Sequence, residues 1–296
     1  METGDPDLAV FEEQRPRIFG LAYRMLGSAA EAEDVTQDAF LRWYGADREE
    51  LVSPQAWLTR VTTNLCLNRL SSARARRENY VGPWLPEPVL TDRDGVGPLE
   101  TVEQRDSISL AVLVMLERLT PPERAVFVLR EAFGHSHREI AEVLGVSEAG
   151  SRQLHRRARV RLSDARGRFS VDPEQRRRVV ERFLTAAVEG DLQGLEDLLA
   201  EDAVSWADGG GLEKAARRPV AGRGALARYL TALPRHPRAA RVTTRFAEVN
   251  GELGVLLMIE GNLLGVLAID TDGEQVTAVR VVLNPEKLRF AAAQLG

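Results

Sequence analysis

The sequence predicts a multidomain chain, two all-α segments followed by an α+β domain, on three observations. Residues 8–77 and 108–166 carry capped helices with apolar residues at helical spacing. Residues 79–107, NYVGPWLPEPVLTDRDGVGPLETVEQRDS, separate them with prolines and glycines that exclude regular structure. After about residue 199 the period shifts to short β-branched runs bounded by glycine or acidic turns. The expected domains are 1–78, a linker 79–107, 108–168 and 172–296.

The first helix spans 8–26, with Leu8, Phe11, Ile18, Leu21, Ala22 and Met25 as its apolar positions and Gly27 as its stop. Ser28 and Glu31 form a capping box for a second helix ending near Tyr44. Ala32, Val35, Ala39 and Trp43 make its buried stripe, flanked by Phe40, while Glu31, Asp34 and Asp38 share the opposite face. Like charges so placed repel, which suggests either a solvated acidic face or a surface for a basic partner. Ser53-Pro54 opens a third helix that buries Trp57, Val61 and Leu65 and ends in LSSARARR. It sets Arg60, Asn64 and Asn68 near one another, with Arg69 beside them. Amides and guanidinium groups in a row, next to a polar loop at 46–53, suit a single nucleic-acid strand, although an ordinary wet helix face looks similar.

In the linker, Trp84 and Leu85 are odd for a free segment, and WLPEP (Trp84, Leu85, Pro86, Glu87, Pro88) is read as an anchor to another domain or as a local hydrophobic contact. Thr120-Pro121-Pro122-Glu123 supplies a cap, an N1 proline and a capping-box glutamate for the helix carrying Val126, Phe127 and Leu129. Ser136 with Glu139 caps the next helix, Gly145 ends it in the left-handed conformation, and Ser147 caps its successor. A short glycine turn between two helices is the helix-turn-helix signature. In the last helix Leu154, Ala158 and Leu162 face the domain. At about 100° per residue, Ala149, Arg152, Gln153, Arg156 and Arg159 fall opposite, with His155 and Arg157 at the margins. Arginine there suits guanine or phosphate and glutamine suits adenine; a plain αα-hairpin with solvated arginines is the alternative.

Residues 173–199 and about 223–233 are expected as helices, and RVTTRFAEV, GVLLMIEG, LLGVLAID and QVTAVRVVL as antiparallel strands, which gives the α+β class.

The whole-chain numbers agree with a soluble protein. The 296 residues are 44% hydrophobic and 28% charged, and no apolar run approaches the roughly 20 residues of a membrane span. The N-terminus METGDPDLAVFEEQ is acidic and unlike a signal peptide, so a cytoplasmic location without membrane association is expected. The only cysteine, Cys66, rules out an intramolecular disulfide and a cysteine-based zinc cluster, and no metal or cofactor is expected. The net charge of −5 argues against nucleic acid only in total, because arginines crowd into 69–77, 152–168 and 176–182 and acids into 31–38 and 47–50.

FGLAYRMLGSAAEAEDVTQDAFLRWY with SPQAWLTRVTTNLCLNRLSSARARR resembles region 2 of the extracytoplasmic-function (ECF) sigma factors, and TPPERAVFVLREAFGHSHREIAEVLGVSEAGSRQLHRRARVRL resembles their region 4. The C-terminal order of elements resembles a SnoaL-like cone. SWADGGGLEKAARRPVAG and the terminal NPEKL, together with WLPEP, resemble motifs of the sigma factors that carry such a fused domain. The chain departs from that pattern at Leu212-Glu213-Lys214, where lysine is expected directly after the glycines, which puts the role of Lys214 in doubt.

The resemblance implies a promoter-specificity subunit of bacterial RNA polymerase whose partners are core polymerase and promoter DNA. By it, the helix with Glu31, Asp34, Gln37, Asp38 and Phe40 docks on the polymerase. Loop 46–53 and the third helix, with Arg60, Asn64, Asn68 and Arg69, capture the melted −10 element. The helix from Ser147 enters the major groove at −35. WLPEP, Asp208-Gly209-Gly210-Gly211 and Asn284-Pro285-Glu286-Lys287-Leu288 are expected to act together between domains, controlling the protein in cis without a separate anti-sigma factor. For the cone itself three readings stand open: a protein-contact surface, a pocket for a small-molecule ligand, or catalysis. In the last, Asp208 beside Trp206, near His236, Arg217 and Arg218, forms an acid–base pocket of a SnoaL-like or epoxide-hydrolase-like enzyme fused to a DNA-binding regulator. Paired bases at a diagnostic spacing are missing, so the chain is read as a non-enzyme.

Overall fold

The computed structural model describes residues 6–47, 53–92, 104–105, 107–162, 171–235 and 237–296. The chain divides into two compact units, Met1–Glu78 with Arg93–Asp164, and Asn79–Asp92 with Ala165–Gly296.

The first unit holds α1 (Pro6–Leu26), α2 (Ala29–Tyr44), α3 (Pro54–Glu78), α4 (Leu110–Leu116), α5 (Pro121–Glu131), α6 (His137–Leu144) and α7 (Glu148–Arg161). Ser28 Oγ accepts the Glu31 N–H at 3.1 Å, and Ala32, Val35, Ala39 and Trp43 are buried as their spacing requires. On α3 the buried face is rotated from the expected one. Leu58, Thr62, Leu65, Cys66 and Leu70 are buried, whereas Trp57 and Val61 are only half-buried. Threonines explain the difference: Thr59 and Thr63 donate their hydroxyls back to the Gln55 and Thr59 carbonyls at 2.8 and 2.7 Å, so polar residues tolerate the interior of this helix. Burial pushes the Cys66 thiol pKa up, which leaves it an unreactive core residue.

The two helical segments on either side of the linker share this unit instead of forming separate bodies. Two buried arginines join them. Arg24 on α1 donates to Ser107 Oγ at 2.8 Å, to the Gln104 carbonyl at 3.1 Å and to the Gly20 carbonyl at 3.0 Å. Arg124 on α5 donates to the carbonyls of Met25 at 2.8 Å and Leu116 at 2.9 Å and pairs with Glu117 at 2.8 Å. Burial pulls the Arg24 pKa down to about 10 and that of Arg124 down to about 9, yet both remain cations at neutral pH. Their composition-level signal is that of any surface arginine, so the sequence alone gave no reason to bury them.

The second unit is α+β. Helices α8 (Pro173–Glu189), α9 (Leu192–Leu198) and α10 (Arg223–Ala232) cover one face of a six-stranded sheet in the order β2-β1-β6-β5-β4-β3. Phe183, Leu195, Leu198, Leu226 and Leu230 pack there against Val255, Leu267, Ile269 and Val279. The strands are β1 (Leu199–Asp208), β2 (Val220–Ala221), β3 (Val242–Val249), β4 (Glu252–Ile259), β5 (Asn262–Thr271) and β6 (Val276–Val282). All neighbours are antiparallel except β1 and β6. The expected helix 173–199 is in fact two, broken where Gly190 takes φ 71° and Asp191 caps the next start through a 3.0 Å bond from the Gly194 N–H.

Three elements lay outside the expectation, the two-residue edge strand β2 among them. β1 starts with buried Leu199 and Ala200 followed by exposed Glu201 and Asp202, which hide its alternation. A closing helix α11 (Pro285–Leu295) starts inside NPEKL, where Asn284 Oδ1 caps it by accepting the Glu286 N–H at 3.0 Å. The linker joins this unit. Leu90 bridges Val249 antiparallel, Thr91 N–H donates to the Glu248 carbonyl at 3.0 Å, and Leu90 exchanges bonds of 2.8 and 2.9 Å with the Gln294 amide. Leu85, Val89 and Leu90 are buried.

Candidate functional site

Three constellations gather the residues singled out above. The first is α7. The capping box forms on α6, with Ser136 N–H donating to Glu139 Oε2 at 2.6 Å and Glu139 N–H to Ser136 Oγ at 3.2 Å; hydrogen bonding to the carboxyl from Ser136, its hydroxyl first and then its backbone N–H, holds Glu139 below its usual range. Gly145 takes φ 65°, and Ser147 Oγ accepts the Gly150 N–H at 3.0 Å to start α7. Ser151, Ala158 and Leu162 are buried and Leu154 is half-buried. Ala149, Arg152, Gln153, Arg156, Arg157 and Arg159 are exposed along the other side, where Arg152 pairs with Glu148 at 2.6 Å. His155 departs from the expectation. Its side chain is only 12% exposed and Nε2 meets Glu131 Oε1 at 2.7 Å, so it braces α7 on α5 instead of lying on the outer row.

The second constellation is α2 with α3. Asp34 and Gln37 are exposed, Glu31 and Asp38 half-buried, and Phe40 packs edge-on against Phe11 with centroids 4.9 Å apart. Arg60, Asn64 and Asn68 stand exposed on α3 at successive helical turns. Arg69 does not join that row. Its guanidinium reaches across to α2, giving Nη2 to Asp38 Oδ2 at 2.8 Å and Nη1 to Asp34 Oδ2 at 3.2 Å. Partial burial pulls the Arg69 pKa down, but the bonds to Asp38 and Asp34 outweigh it and the net direction is up. The arrangement was invisible in sequence because it depends on the rotation of α3. Residues 48–52 of the expected loop and the side chains of 72–78 in LSSARARR lie outside the described residues.

The third constellation centres on Asp208, which is fully buried at the end of β1. By the alternation along β1 it points away from the face covered by α8–α10. Its carboxylate accepts four bonds. Tyr80 O–H and Gly210 N–H donate to Oδ1 at 2.6 and 3.1 Å, and Leu85 N–H and Lys287 Nζ donate to Oδ2 at 2.8 and 2.7 Å. Lys287 also donates to the Leu85 carbonyl at 2.5 Å and lies 4.3 Å from the Trp84 ring centroid and 4.6 Å from that of Tyr80. Asn284 Nδ2 donates to the Tyr80 hydroxyl at 2.8 Å, and the backbone N–H groups of Leu283 and Asn284 donate to the Asp208 carbonyl at 2.7 and 2.9 Å. Burial, then the neighbouring Asp208, pushes the Tyr80 pKa up and keeps its proton in place. A carboxylate and a cation taken from water together, each with its other valences met, is a satisfied buried pair.

The glycines serve close approach. Gly210 has φ 58°, and a Cβ there would overlap the Asn284 amide. Gly209 accepts the Leu212 and Glu213 N–H groups at 2.9 and 3.0 Å and closes the turn. The three short motifs therefore meet through Leu85, Trp84, Asp208, Gly210, Asn284 and Lys287. Pro86, Pro88 and Leu288 are buried beside them, Glu87 is half-buried, and Pro285 and Glu286 face outward. Among the described residues the expected acid–base pocket is not formed. Arg217 and Arg218 are exposed, Trp206 stacks instead on Arg280 at 5.3 Å, which pairs with Asp270 at 2.7 Å, and His236 lies outside the described residues. Lys214 is exposed as well, and Lys287 is the cation of the site. Tyr80 was missed in the sequence, where an aromatic beside polar linker residues has no distinguishing pattern.

Comparison with known proteins agrees with these elements. Residues 10–76 match the Sigma-70 region 2 family, 109–162 the Sigma-70 region 4 family, and 180–283 the SnoaL-like domain. The chain is 37% identical to the ECF RNA polymerase sigma factor SigJ of Mycobacterium tuberculosis, over 95% of this chain and 93% of that protein. This chain belongs to the ECF RNA polymerase sigma factors. A second relative, the probable ECF sigma factor SigI of the same organism, is 34% identical over 100% of this chain and 99% of its own. The crystal structure of SigJ covers 95% of this chain and 98% of its own with a TM-score of 0.76 and 35% identity. As an ECF sigma factor, this protein works with RNA polymerase core and promoter DNA. Among the described residues no helix is long and apolar enough to cross a membrane.

Proposed function

We propose that this sigma factor uses α7 to read the −35 element, the exposed Arg60, Asn64 and Asn68 row to hold the melted −10 strand, and the acidic side of α2 to dock on polymerase, all in the cytoplasm. In this reading Arg156, Gln153 and Arg159 contact base edges or phosphate, which their exposure on the side of α7 opposite Ala158 and Leu162 supports. His155 supports α7 from behind.

The C-terminal domain then controls initiation in cis. The observation that carries this is the Asp208 carboxylate, which binds the linker backbone at Leu85 and the linker hydroxyl of Tyr80 while paired with Lys287 of the closing helix. That linker joins the −10 and −35 segments. A domain that grips it limits how far those segments separate, at the high effective concentration a tether gives. A separate anti-sigma protein is not needed for such control.

Run-off transcription with core polymerase on a promoter library tests the reading. The full-length protein is expected to initiate at a defined set of start sites that Arg156→Ala depletes. A transcript pattern identical to that of core polymerase alone would overturn it.

A further inference from the structure

Arg69 stands between two of the proposed surfaces. α2 and α3 already pack on each other, with the Trp43 and Trp57 ring centroids 5.8 Å apart. The Arg69 bridge lies at the rim of that packing, with side-chain exposures of 27% for Arg69, 65% for Asp34 and 44% for Asp38. Ion pairs this wet add little to stability. Their consequence is for the charge the surface presents. One guanidinium spans both carboxylates, an i and i+4 pair on α2, and takes the Oδ2 atom of each. It is also the sequence neighbour of Asn68, on the helix read as the strand-holding element.

We infer that Arg69 is an internal counter-ion of the acidic face, which a basic docking surface of core polymerase displaces, and which on release supplies a cation to the phosphates of the melted strand beside Asn68. The inference rests on the reading of the acidic side of α2 as the polymerase surface. It makes docking and strand capture mutually reinforcing: whatever draws Arg69 off the carboxylates favours both, as linkage between two ligands of one switchable group requires. It also assigns a cost to free docking, because the partner's cations must compete with one already in place.

The full-length protein, labelled with a fluorophore and titrated with core polymerase at low and high salt, tests this with Arg69→Gln, Arg69→Lys and Asp38→Asn. Arg69→Gln is expected to bind core about three- to tenfold more tightly at low salt, a gap that closes at high salt as screening removes the competition. The resulting holoenzyme is expected to hold a single-stranded oligonucleotide carrying phosphates but no promoter sequence more weakly than wild type. Arg69→Lys, a point charge without the fork that spans two carboxylates, should fall between.

If Asp38→Asn leaves core binding unchanged, the polymerase surface is elsewhere and the inference falls with it. If Asp38→Asn weakens core binding while Arg69→Gln binds no tighter than wild type, Arg69 is only a packing residue and the inference alone fails. Should Arg69→Gln lower the melting temperature, Arg69→Lys decides: tighter core binding upholds the competition, equal or weaker binding overturns it.

Discussion

Helix α7 and the Asp208 site use charge in opposite ways. α7 leaves Arg152, Arg156, Arg157 and Arg159 exposed, and its deeper polar contacts, His155 with Glu131 and Ser151 with His137 among them, lie on the inner side. The Asp208 site leaves almost nothing outward: carboxylate and ammonium are buried together, and each polar atom named above ends on a group of the same unit. Charge meant for a partner stays hydrated until the partner comes, whereas charge that ties the chain to itself is desolvated once, during folding. Changes on α7 should therefore act on DNA affinity, and changes at the Asp208 site on stability and on the hold on the linker.

The largest effect is expected at Asp208. Asp208→Asn leaves Lys287 buried without its carboxylate, and loss of one partner of such a pair costs about 3–5 kcal/mol. Denaturant unfolding followed by tryptophan fluorescence reads this, and the double variant Asp208→Asn with Lys287→Met should recover part of the loss. A next, smaller effect belongs to α7. Arg156→Ala should weaken promoter binding by about 1–3 kcal/mol if it pairs with a base, with the unfolding midpoint unchanged. Gel-shift titrations on matched and mismatched promoters distinguish a base contact, which is sequence-dependent, from a phosphate contact, which lowers all sequences alike.

Gly210→Ala sharpens the contrast further. The new methyl must clear the Asn284 amide at φ 58°, and about 1–2 kcal/mol of stability should be lost with no change in DNA affinity.

The smallest effect is pH dependence within the first unit. Burial, and then Arg17, lower the His135 pKa from 6.5, with Glu139 opposing; Arg17 Nη2 lies 3.4 Å from His135 Nε2, which accepts when neutral. Because the folded pKa lies below the unfolded one, this contribution is complete above pH 6.5 and is lost as the pH falls beneath that value toward the folded pKa. Thermal melts between pH 7.5 and about 5.5 should show a decline that His135→Gln flattens.

The parts legible in the sequence were those set by local chemistry. Ser136 with Glu139, Gly145 and Ser147 fix helix ends within a few residues, and the stripe at Ala32, Val35, Ala39 and Trp43 needs only the helical period. The misread parts depend on contacts distant in sequence. Arg69 was grouped with Asn68 by adjacency, but the rotation of α3 sends it to Asp34 and Asp38. His155 lay at the margin of the exposed row, and only α5 decides which way it turns. Asp208 and Lys287 were named through motifs, whereas the pairing between them, and Tyr80 as a third member, required the strand β1 and the helix α11 that sequence did not yield.

The central claim is that a buried Asp208–Lys287 pair grips the linker and so governs initiation. The most direct measurement is run-off transcription by holoenzyme reconstituted with wild type, Trp84→Ala or Lys287→Met, beside the DNA affinity of each protein. The account predicts a severalfold change in transcript yield for both variants while the affinity contributed by α7 is retained. Yields equal to wild type from both, with folding intact, would contradict it.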